Sequence, residues 1–341
     1  MKSLDQKLQA IHANPAQCKE FILADAKDAD MGFGRTAPGP IRRAGIHESL
    51  RYKTREDYLN QVREVIWQGL VDIMLLSASN LEKLAIREKR FVRSSITPAA
   101  RANDSSDIWI IRNSVYSSVP SKPFRSATLD HIQYGRLSGK STKVAGADLG
   151  LYSLTFCNDM ESDHATLEAF HAFRHEAERK RFRYFLEVFA PNIASAVPPK
   201  DVGLFLNDHI IRCLAGVCES GRPLFLKIPY CGPRALEELV SYDPHLIVGI
   251  LGGAAGTTLD AFQLLYDAKK HGARVALFGR KINLAEHPLA MVELLRSVAD
   301  DKISPKEAVK LYHDRLQKEG IRSFRPLRED LKPAPVLNRY G

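Results

Sequence analysis

Residues 222–280 read RPLFLKIPYCGPRALEELVSYDPHLIVGILGGAAGTTLDAFQLLYDAKKHGARVALFGR, a stretch that alternates short apolar runs with helical patterns. The apolar runs at 222–230, 245–253 and 273–280 predict buried strands, because a strand covered on both faces is apolar without interruption. Pro233 suits the first position of the helix that follows the first run. Strands that alternate with helices in this way are typical of βαβ units and a parallel sheet.

The same alternation extends over most of the 341 residues. Thr54 with Asp57, and Thr257 with Asp260, have the spacing of helix N-terminal caps. Further strands are predicted at 21–28, 71–79, 147–156 and 183–189. Further helices are predicted at 54–69, 80–90, 163–180, 200–219, 257–271 and 288–299, with one more in the tail sequence ISPKEAVKLYHDRL.

One more strand is expected within residues 92–145, a segment rich in Ser, Arg and Pro that offers two candidates, ITPAARAN (96–103) and IWIIRNSVY (108–116). Eight strands are the number that closes a barrel. An open doubly wound sheet is the alternative, but such sheets normally carry GxGxxG after the first strand when they bind a dinucleotide, and that motif is missing from the sequence.

We therefore predict an α/β fold in which residues 1–341 form a single (β/α)8 TIM barrel domain. Residues 92–145 are expected to form an insertion-like, elaborated connection over the active face, since long loops are uncommon unless functional or disordered. Residues 301–341 are expected to form a C-terminal extension with an extra helix.

The composition favours a cytoplasmic protein that binds a small anion. A net charge of +9 favours anionic partners, but the basic residues are spread along the chain without a nucleic-acid motif, so no nucleic-acid partner is expected. The N-terminus is polar, and no apolar run reaches the roughly 18 residues that span a bilayer, so no membrane partner is expected. The five scattered cysteines suit a reducing cytoplasm. We also expect a homo-oligomer.

Lys227 lies inside the apolar strand LFLKIPY, near the carboxyl end where barrel enzymes place their active sites. Burial disfavours the ammonium form, and the neutral amine is the nucleophile that forms an imine. A lysine that reaches water at the strand end, or pairs with a carboxylate, is the alternative. We predict that Lys227 faces the barrel interior as a Schiff-base residue.

Three further charged residues interrupt apolar strands. Glu187 lies in YFLEVF, on the strand before that of Lys227, and can hold or move a proton; a simple ion pair is the alternative. Asp25 and Lys27 in LADAKD are two residues apart and therefore share one side of their strand. If that side faces the barrel, both enter the site; otherwise they belong to a solvated strand end. Asp28 is expected in the following loop.

Two short motifs end the last two strands. Phosphate sites in barrels are commonly built from the loops after strands seven and eight, where glycine admits backbone N–H groups and arginine can bind an anion through two hydrogen bonds. We predict a substrate phosphate site at Gly252, Gly253, Gly279 and Arg280, although Gly-Gly alone can simply make a turn. No cluster with metal-site spacing is evident, so no metal and no cofactor is expected.

These motifs resemble those of class I aldolases of the tagatose-bisphosphate aldolase type and, more loosely, the bacterial and archaeal class I fructose-bisphosphate aldolases. The resemblance covers approximately residues 1–80 and 183–300, and it implies a (β/α)8 barrel that cleaves a ketose phosphate through a lysine imine. RYFLEVF is similar to the family's glutamate strand and LFLKIPY to its Schiff-base strand. The resemblance thus implies that Glu187 transfers protons and that Lys227 forms the imine.

The closing segment, from ILGG to LFGR, is similar to the segment that supplies phosphate contacts in the family, and LADAK is similar to its first-strand motif. This likeness places Gly252, Gly253 and Arg280 at the phosphate, Asp25 at an aspartate position with a functional role, and Lys27 at a basic position. The strand ADLGLYSLTFCND departs from the tagatose-type pattern, because it has no lysine where those enzymes carry one. The sugar and the number of phosphates are therefore open.

The sequence thus predicts a class I aldolase that acts on a ketose phosphate or a similar anionic sugar derivative, with Glu187 or Asp25 as its acid–base group. Transaldolase-like, thiolase-like or deoxy-sugar lyase chemistry on the same imine is one alternative. A barrel that binds sugar phosphates without chemistry, as a regulatory protein, is another.

Overall fold

The computed structural model describes residues 1–41, 51–137, 143–253 and 256–334. Within these residues, eight parallel strands close into a barrel, which confirms the predicted (β/α)8 fold. The strands of the barrel are β1 (Ile22–Lys27), β2 (Ile73–Leu76), β3 (Thr97–Arg101), β6 (Leu149–Thr155), β7 (Arg183–Phe189), β8 (Leu226–Ile228), β9 (Val248–Leu251) and β10 (Val275–Phe278). The connection from β3 to β6 contains an antiparallel pair, β4 (Asp104–Ser105) and β5 (Pro123–Phe124).

Helices fill the connections between the barrel strands and both ends of the described chain. They are α1 (Ser3–Ala13), α2 (Asp30–Phe33), α3 (Arg55–Gln68), α4 (Ala78–Leu81), a π-helical turn (Glu82–Arg87), α5 (Leu129–Tyr134), α6 (Met160–Arg179), α7 (Val202–Leu214), α8 (Pro233–Tyr242), α9 (Thr258–Lys270), α10 (Arg280–Asn283), α11 (Pro288–Ala299), α12 (Pro305–Lys318) and α13 (Leu327–Asp330). Of the helices described, none combines the length and apolar character needed to cross a membrane.

Local sequence signals explain where several of these helices begin. Thr54 and Asp57 form a reciprocal capping box at α3, and Thr257 and Asp260 form one at α9, as their spacing predicted. Each box satisfies backbone N–H groups that the first helical turn leaves without partners. Pro233 occupies the first position of α8, where its missing N–H costs no hydrogen bond.

Alternate residues of each barrel strand face opposite sides of the wall. On β1, Ala24 is in register with Ile73 and Leu277, and all three pack in the core inside the barrel. The next residue, Asp25, is in register with Met74, which packs in the outer core between strands and helices. The parity of a residue along its strand therefore decides whether its side chain reaches the barrel interior.

The amino end of the barrel is closed by α1. Leu4, Leu8 and Ile11 are buried along one side of this helix, at the i, i+4 and i+7 spacing of a helical face. They pack in the same core as the inward residues Phe185 and Phe225, whose rings stack. Because this end is filled with apolar side chains, ligand access is from the carboxyl ends of the strands.

The third barrel strand comes from the first of the two candidates in residues 92–145. ITPAARAN supplies β3, whose small residues pair with β2 and β6. The candidate IWIIRNSVY is wrong as a strand: it begins at the end of a 3-10 turn, Ser106–Ile108, and ends in a second, Tyr116–Ser118. Its apolar side chains are largely exposed, so they supply no buried face against which a strand would pack.

Candidate active site

Lys227 and Glu187 lie side by side inside the barrel, near the carboxyl ends of β8 and β7. Phe225 and Phe185 face the inner core, so the residues two positions later, Lys227 and Glu187, face the same side. The two Cα positions are paired in the register of the strands. Both side chains are buried, and Lys227 Nζ forms an ion pair with Glu187 Oε1.

A chain of hydrogen bonds continues from Glu187 across the barrel. Glu187 Oε2 accepts from Ser153 Oγ at 2.7 Å and from Arg101 Nη2 at 3.1 Å. Arg101 Nη1 also donates to Ser153 Oγ at 2.7 Å, and Arg101 Nε donates to Asp28 Oδ2 at 2.6 Å. The buried site therefore contains two carboxylates and two cationic side chains, and Glu187 Oε1 is the oxygen turned to Lys227.

Asp28 completes this network from the first residue after β1. Burial on its own would raise the pKa of its carboxyl, but the charges of Arg101 and Lys227 outweigh that effect and hold the pKa below its ordinary value. Asp28 is therefore an anion at neutral pH. Asp28 follows the strand, as the sequence predicted, but it has the same parity as Ala24 and Ala26 and therefore lies in the site.

A cavity of about 780 Å³ opens above the ion pair at the carboxyl end of the barrel. Its polar and charged lining includes Asp28, Arg101, Glu187, Lys227 and Arg280. Much of the remaining lining is apolar, with a few polar groups at defined positions, which is the usual character of a small-molecule site. In the described part of the chain, no group of three or more His, Cys, Asp or Glu side chains is placed to hold a metal ion.

The four residues expected at a phosphate lie together at one side of this cavity. Gly252 and Gly253 follow β9, and Gly279 and Arg280 follow β10, the seventh and eighth strands of the barrel. Arg280 is exposed, and its Nη2 donates to Gly253 O at 3.3 Å. Lys281, which was not among the residues predicted at a phosphate, also lines the cavity and donates to Gly256 O at 3.1 Å.

Strand packing at Gly252 and Gly279, and backbone conformation at Gly253, also favour glycine. A Cβ on Gly279 would lie 2.6 Å from the carbonyl oxygen of Ala26 in the neighbouring strand. Gly253 has a φ of +64°, a conformation that favours glycine. These residues are therefore explained in part by packing and turn geometry, and Arg280 and Lys281 carry the electrostatic argument for an anion.

The structure does not bring Asp25 and Lys27 into the cavity, which corrects the expectation of a shared site. Their parity turns them outward, where Lys27 Nζ donates to Gln61 Oε1 at 2.9 Å and lies over the ring of Tyr58 on α3. Asp25 Oδ2 is 3.6 Å from Lys27 Nζ, and both side chains are fully buried. They form a buried ion pair between the barrel wall and a helix.

Comparison with known proteins gives a likeness in fold. No protein-family model matches the chain, and no match was found among curated proteins. A Schiff-base-forming fructose-1,6-bisphosphate aldolase is similar in structure, with a TM-score of 0.59 and 13% identity over 86% of this chain and 99% of that one. An archaeal fructose-1,6-bisphosphate aldolase gives a TM-score of 0.60 and 12% identity, again over 86% of this chain and 99% of that one. That structure was solved with the catalytic Lys covalently bound to the carbinolamine intermediate of the substrate.

A protein of Corynebacterium glutamicum gives a TM-score of 0.55 and 14% identity over 88% of this chain and 97% of that one. At such low identities these likenesses establish a shared fold. Any conclusion about chemistry has to come from the side chains of this chain.

Sequence reasoning missed Arg101 and Ser153. Arg101 is the one charged residue in the short strand TPAAR, and a charge among small buried residues is the same signal that marked Lys227. The signal is hidden in the sequence because residues 92–145 offer two candidates for the third strand. Ser153 gives no such signal, since serine is compatible with either face of a buried strand.

Proposed function

We propose that this protein is a class I aldolase that forms or cleaves a C–C bond in a ketose phosphate or a similar anionic sugar derivative, through an imine on Lys227. The observation that carries the proposal is the buried Lys227–Glu187 pair at the floor of a cavity that has basic side chains on one side. A buried amine with a proton acceptor in direct contact meets the two requirements of imine formation.

Imine formation begins with proton transfer from the Lys227 ammonium to Glu187 Oε1. The neutral amine then adds to the ketone carbon, and its surplus proton passes to the ketone oxygen to give a carbinolamine. Glu187 returns its proton to the carbinolamine hydroxyl, which leaves as water. The net change is ammonium plus ketone to iminium plus water, with Glu187 again a carboxylate.

Bond cleavage uses the iminium as an electron sink. Glu187 accepts the proton of the hydroxyl on the second carbon from the imine carbon. The bond between that carbon and the carbon adjacent to the imine then breaks, and its electron pair passes to the iminium nitrogen. An aldehyde leaves and an enamine stays on Lys227. Glu187 then protonates the enamine carbon, and water hydrolyses the iminium to release the ketone product and regenerate the Lys227 ammonium.

The other members of the network position Glu187. Ser153 and Arg101 hold Oε2, so that Oε1 stays directed at Lys227. Arg101 is itself fixed by Asp28. This arrangement keeps the acid–base group within reach of both the amine and the bond to be broken, as proton transfer requires.

The anionic group of the substrate would bind where Arg280 and Lys281 meet the loop after β9. Charge-assisted hydrogen bonds from these side chains and approach of the Gly253 backbone can fix a phosphate there. Lys227 lies on β8, next to β9 in the barrel. An anion held after β9 and β10 therefore places the carbonyl of the same substrate toward the amine.

Borohydride trapping tests the proposal. The protein is incubated with a panel of ketose phosphates and with dihydroxyacetone phosphate, reduced with sodium borohydride, and analysed by intact mass and peptide mapping. An aldolase adds the mass of the reduced ligand at Lys227. A barrel that only binds sugar phosphates gives no covalent adduct with any member of the panel, and that result would refute the proposed chemistry. Product analysis then separates cleavage from transfer reactions on the same imine.

A further inference from the structure

The cavity has a second end, opposite the basic side chains. The closed strand order is β1-β10-β9-β8-β7-β6-β3-β2. In this ring β3 is four strands from β9 in either direction, so the two strands lie on opposite sides of the barrel. The chain that follows β3 runs through residues 106–121, here called the wall segment, which contributes Ile108 and Ile110 to the cavity lining. The loop after β7 adjoins the wall segment, because Asn192 in that loop donates hydrogen bonds to backbone carbonyls of the segment, and it lines the cavity beside it.

Apolar side chains dominate this end. Ile108 and Ile110 of the wall segment line it together with Phe189, Pro191 and Ile193 at and after the end of β7. None of the five is fully buried, and Ile110 is 46% exposed. Apolar surface that stays accessible inside a concave cavity is suited to an apolar ligand group, since that group and the wall both leave water on binding.

Two of the polar residues at this end, Asp107 and Asn192, use their side-chain hydrogen bonds within the protein. Asp107 accepts from Ser121 Oγ at 2.6 Å through one oxygen and from Thr155 Oγ1 at 3.0 Å through the other. Asn192 Nδ2 donates to the carbonyl oxygens of Ser117 at 3.2 Å and Val119 at 2.6 Å. These contacts hold the wall segment in place and leave the Asp107 and Asn192 side chains little capacity to bind a polar group of a ligand.

The charges of this end also disfavour a second anion. Asp107 is a carboxylate in the lining. Arg101, the last residue of β3, lies beneath this end, but its three guanidinium nitrogens already donate hydrogen bonds to Asp28, Ser153 and Glu187. Among the lining residues that the structure describes, the other cations are Lys227, Arg280 and Lys281, which belong to the imine site and the anion end.

We infer that the cavity takes a substrate with one anionic group and an uncharged, apolar group at its other end, so that the aldehyde partner of the reaction is apolar and carries no phosphate. This inference rests on the proposed function for the position of the reacting carbons. Binding at the apolar end depends on Ile108, Ile110 and Ile193, because the lining residues that the structure describes supply no second cationic site there.

Binding of two matched probes tests the inference without any chemistry on Lys227. Hexyl phosphate has one anion and an apolar tail, and hexane-1,6-diyl bisphosphate has the same carbon chain with an anion at each end. Isothermal titration calorimetry on the full chain should show that hexyl phosphate binds on the order of tenfold more tightly than the bisphosphate. The reason is that the second phosphate of the bisphosphate would lie against apolar side chains and the Asp107 carboxylate. Equal or tighter binding of the bisphosphate would overturn the inference.

A single substitution should reverse the preference. Ile110→Lys adds a cation at the apolar end and should weaken hexyl phosphate while strengthening the bisphosphate. Val115→Lys is the matched control, because Val115 is 68% exposed on the same wall segment and does not line the cavity. If both variants bind the probes alike, the wall segment does not set specificity. Borohydride trapping with ketose phosphates on the same preparations reports separately on Lys227. If Lys227 forms adducts but calorimetry shows tighter binding of the bisphosphate, only this inference is overturned. If trapping fails but calorimetry shows tighter binding of hexyl phosphate, only the proposed chemistry is overturned.

Discussion

Lys27 and Lys227 are both buried lysines on parallel strands of one barrel, but their amines lie on opposite sides of the barrel wall. Lys27 Nζ is directed to Gln61 on α3, in the layer between strands and helices. Lys227 Nζ is paired with Glu187 at the floor of the cavity. Burial alone therefore does not make a lysine a candidate nucleophile, because a carbonyl substrate can reach only the second of these two amines.

Trapping experiments should separate the two lysines. Lys227→Arg retains a positive charge beside Glu187 but cannot form a stable imine, so it should abolish the borohydride adduct and turnover while the protein remains folded by circular dichroism. Lys27→Met should keep the adduct at Lys227, measured at low temperature because the variant is expected to be less stable. An adduct that survives Lys227→Arg and disappears with Lys27→Met would contradict the assignment.

Glu187→Gln should separate imine formation from turnover. The amide has the shape of the carboxylate but cannot accept a proton, so we expect kcat to fall by roughly 10²–10⁴-fold. Solvent can still take the ammonium proton slowly, so an adduct at Lys227 should form on long incubation. Ser153→Ala, which removes one hydrogen bond to Glu187 Oε2, should lower kcat less. Normal turnover by Glu187→Gln would exclude it as the acid–base group, and Asp28→Asn would then be the deciding variant.

The sequence was sufficient to predict the barrel and to mark Lys227, Glu187 and Arg280 as candidates, because each stands out against an apolar strand or at the end of one. It was not sufficient to decide between Asp25 and Asp28. Asp25 lies within β1 and Asp28 directly follows it. Which of the two reaches the cavity depends on whether the odd-numbered or the even-numbered residues of β1 face inward, and the closure of the whole barrel sets that. Periodicity within one fully buried strand contains no such information.

Arg101 should be essential to the stability of the site. Removing it leaves Asp28 and Glu187 as buried carboxylates with one compensating charge fewer, and breaking a buried ion pair in this way costs about 3–5 kcal/mol. Arg101→Met should therefore lower the free energy of unfolding in urea by about that amount. Arg87→Met breaks a more exposed ion pair with Glu82 and should change it by less than about 1 kcal/mol. Similar losses in the two variants would contradict a special role for Arg101.

Arg280→Ala should raise KM for an anionic substrate with little change in kcat, because its interaction with a phosphate is the same in the ground state and the transition state. Loss of a charge-assisted contact corresponds to about 2–3 kcal/mol. Added salt should weaken substrate binding less in the variant than in the wild type. The matched control is Arg222→Ala, which removes the same charge from an ion pair with Asp243 that does not line the cavity. An unchanged KM in Arg280→Ala would exclude this residue as the anchor.

The outward pair of Asp25 and Lys27 should give the protein a specific pH dependence of stability. Burial raises the pKa of Asp25 from 3.8 to about 6, even though Lys27 acts against the shift. The folded protein therefore holds this proton more tightly than the unfolded chain does between these two values. The contribution of Asp25 to the free energy of unfolding thus falls as pH rises from about 4 to about 6, by at most about 3 kcal/mol.

Asp25→Asn should remove this contribution, so the free energy of unfolding in urea should fall less steeply between pH 4.5 and 6.5 than in the wild type. Burial also lowers the pKa of Lys27, and a further decrease in the variant would change the slope in the same direction. Asp243→Asn is the control: hydrogen bonds and charge at His245 and Arg222 outweigh burial and lower the pKa of Asp243, so it titrates below this window. If the curves of wild type and Asp25→Asn run parallel, Asp25 is ionised throughout and the pair is a plain salt bridge. Because neither residue reaches the cavity, borohydride trapping at Lys227 should be unaffected by Asp25→Asn at any pH where the variant is folded.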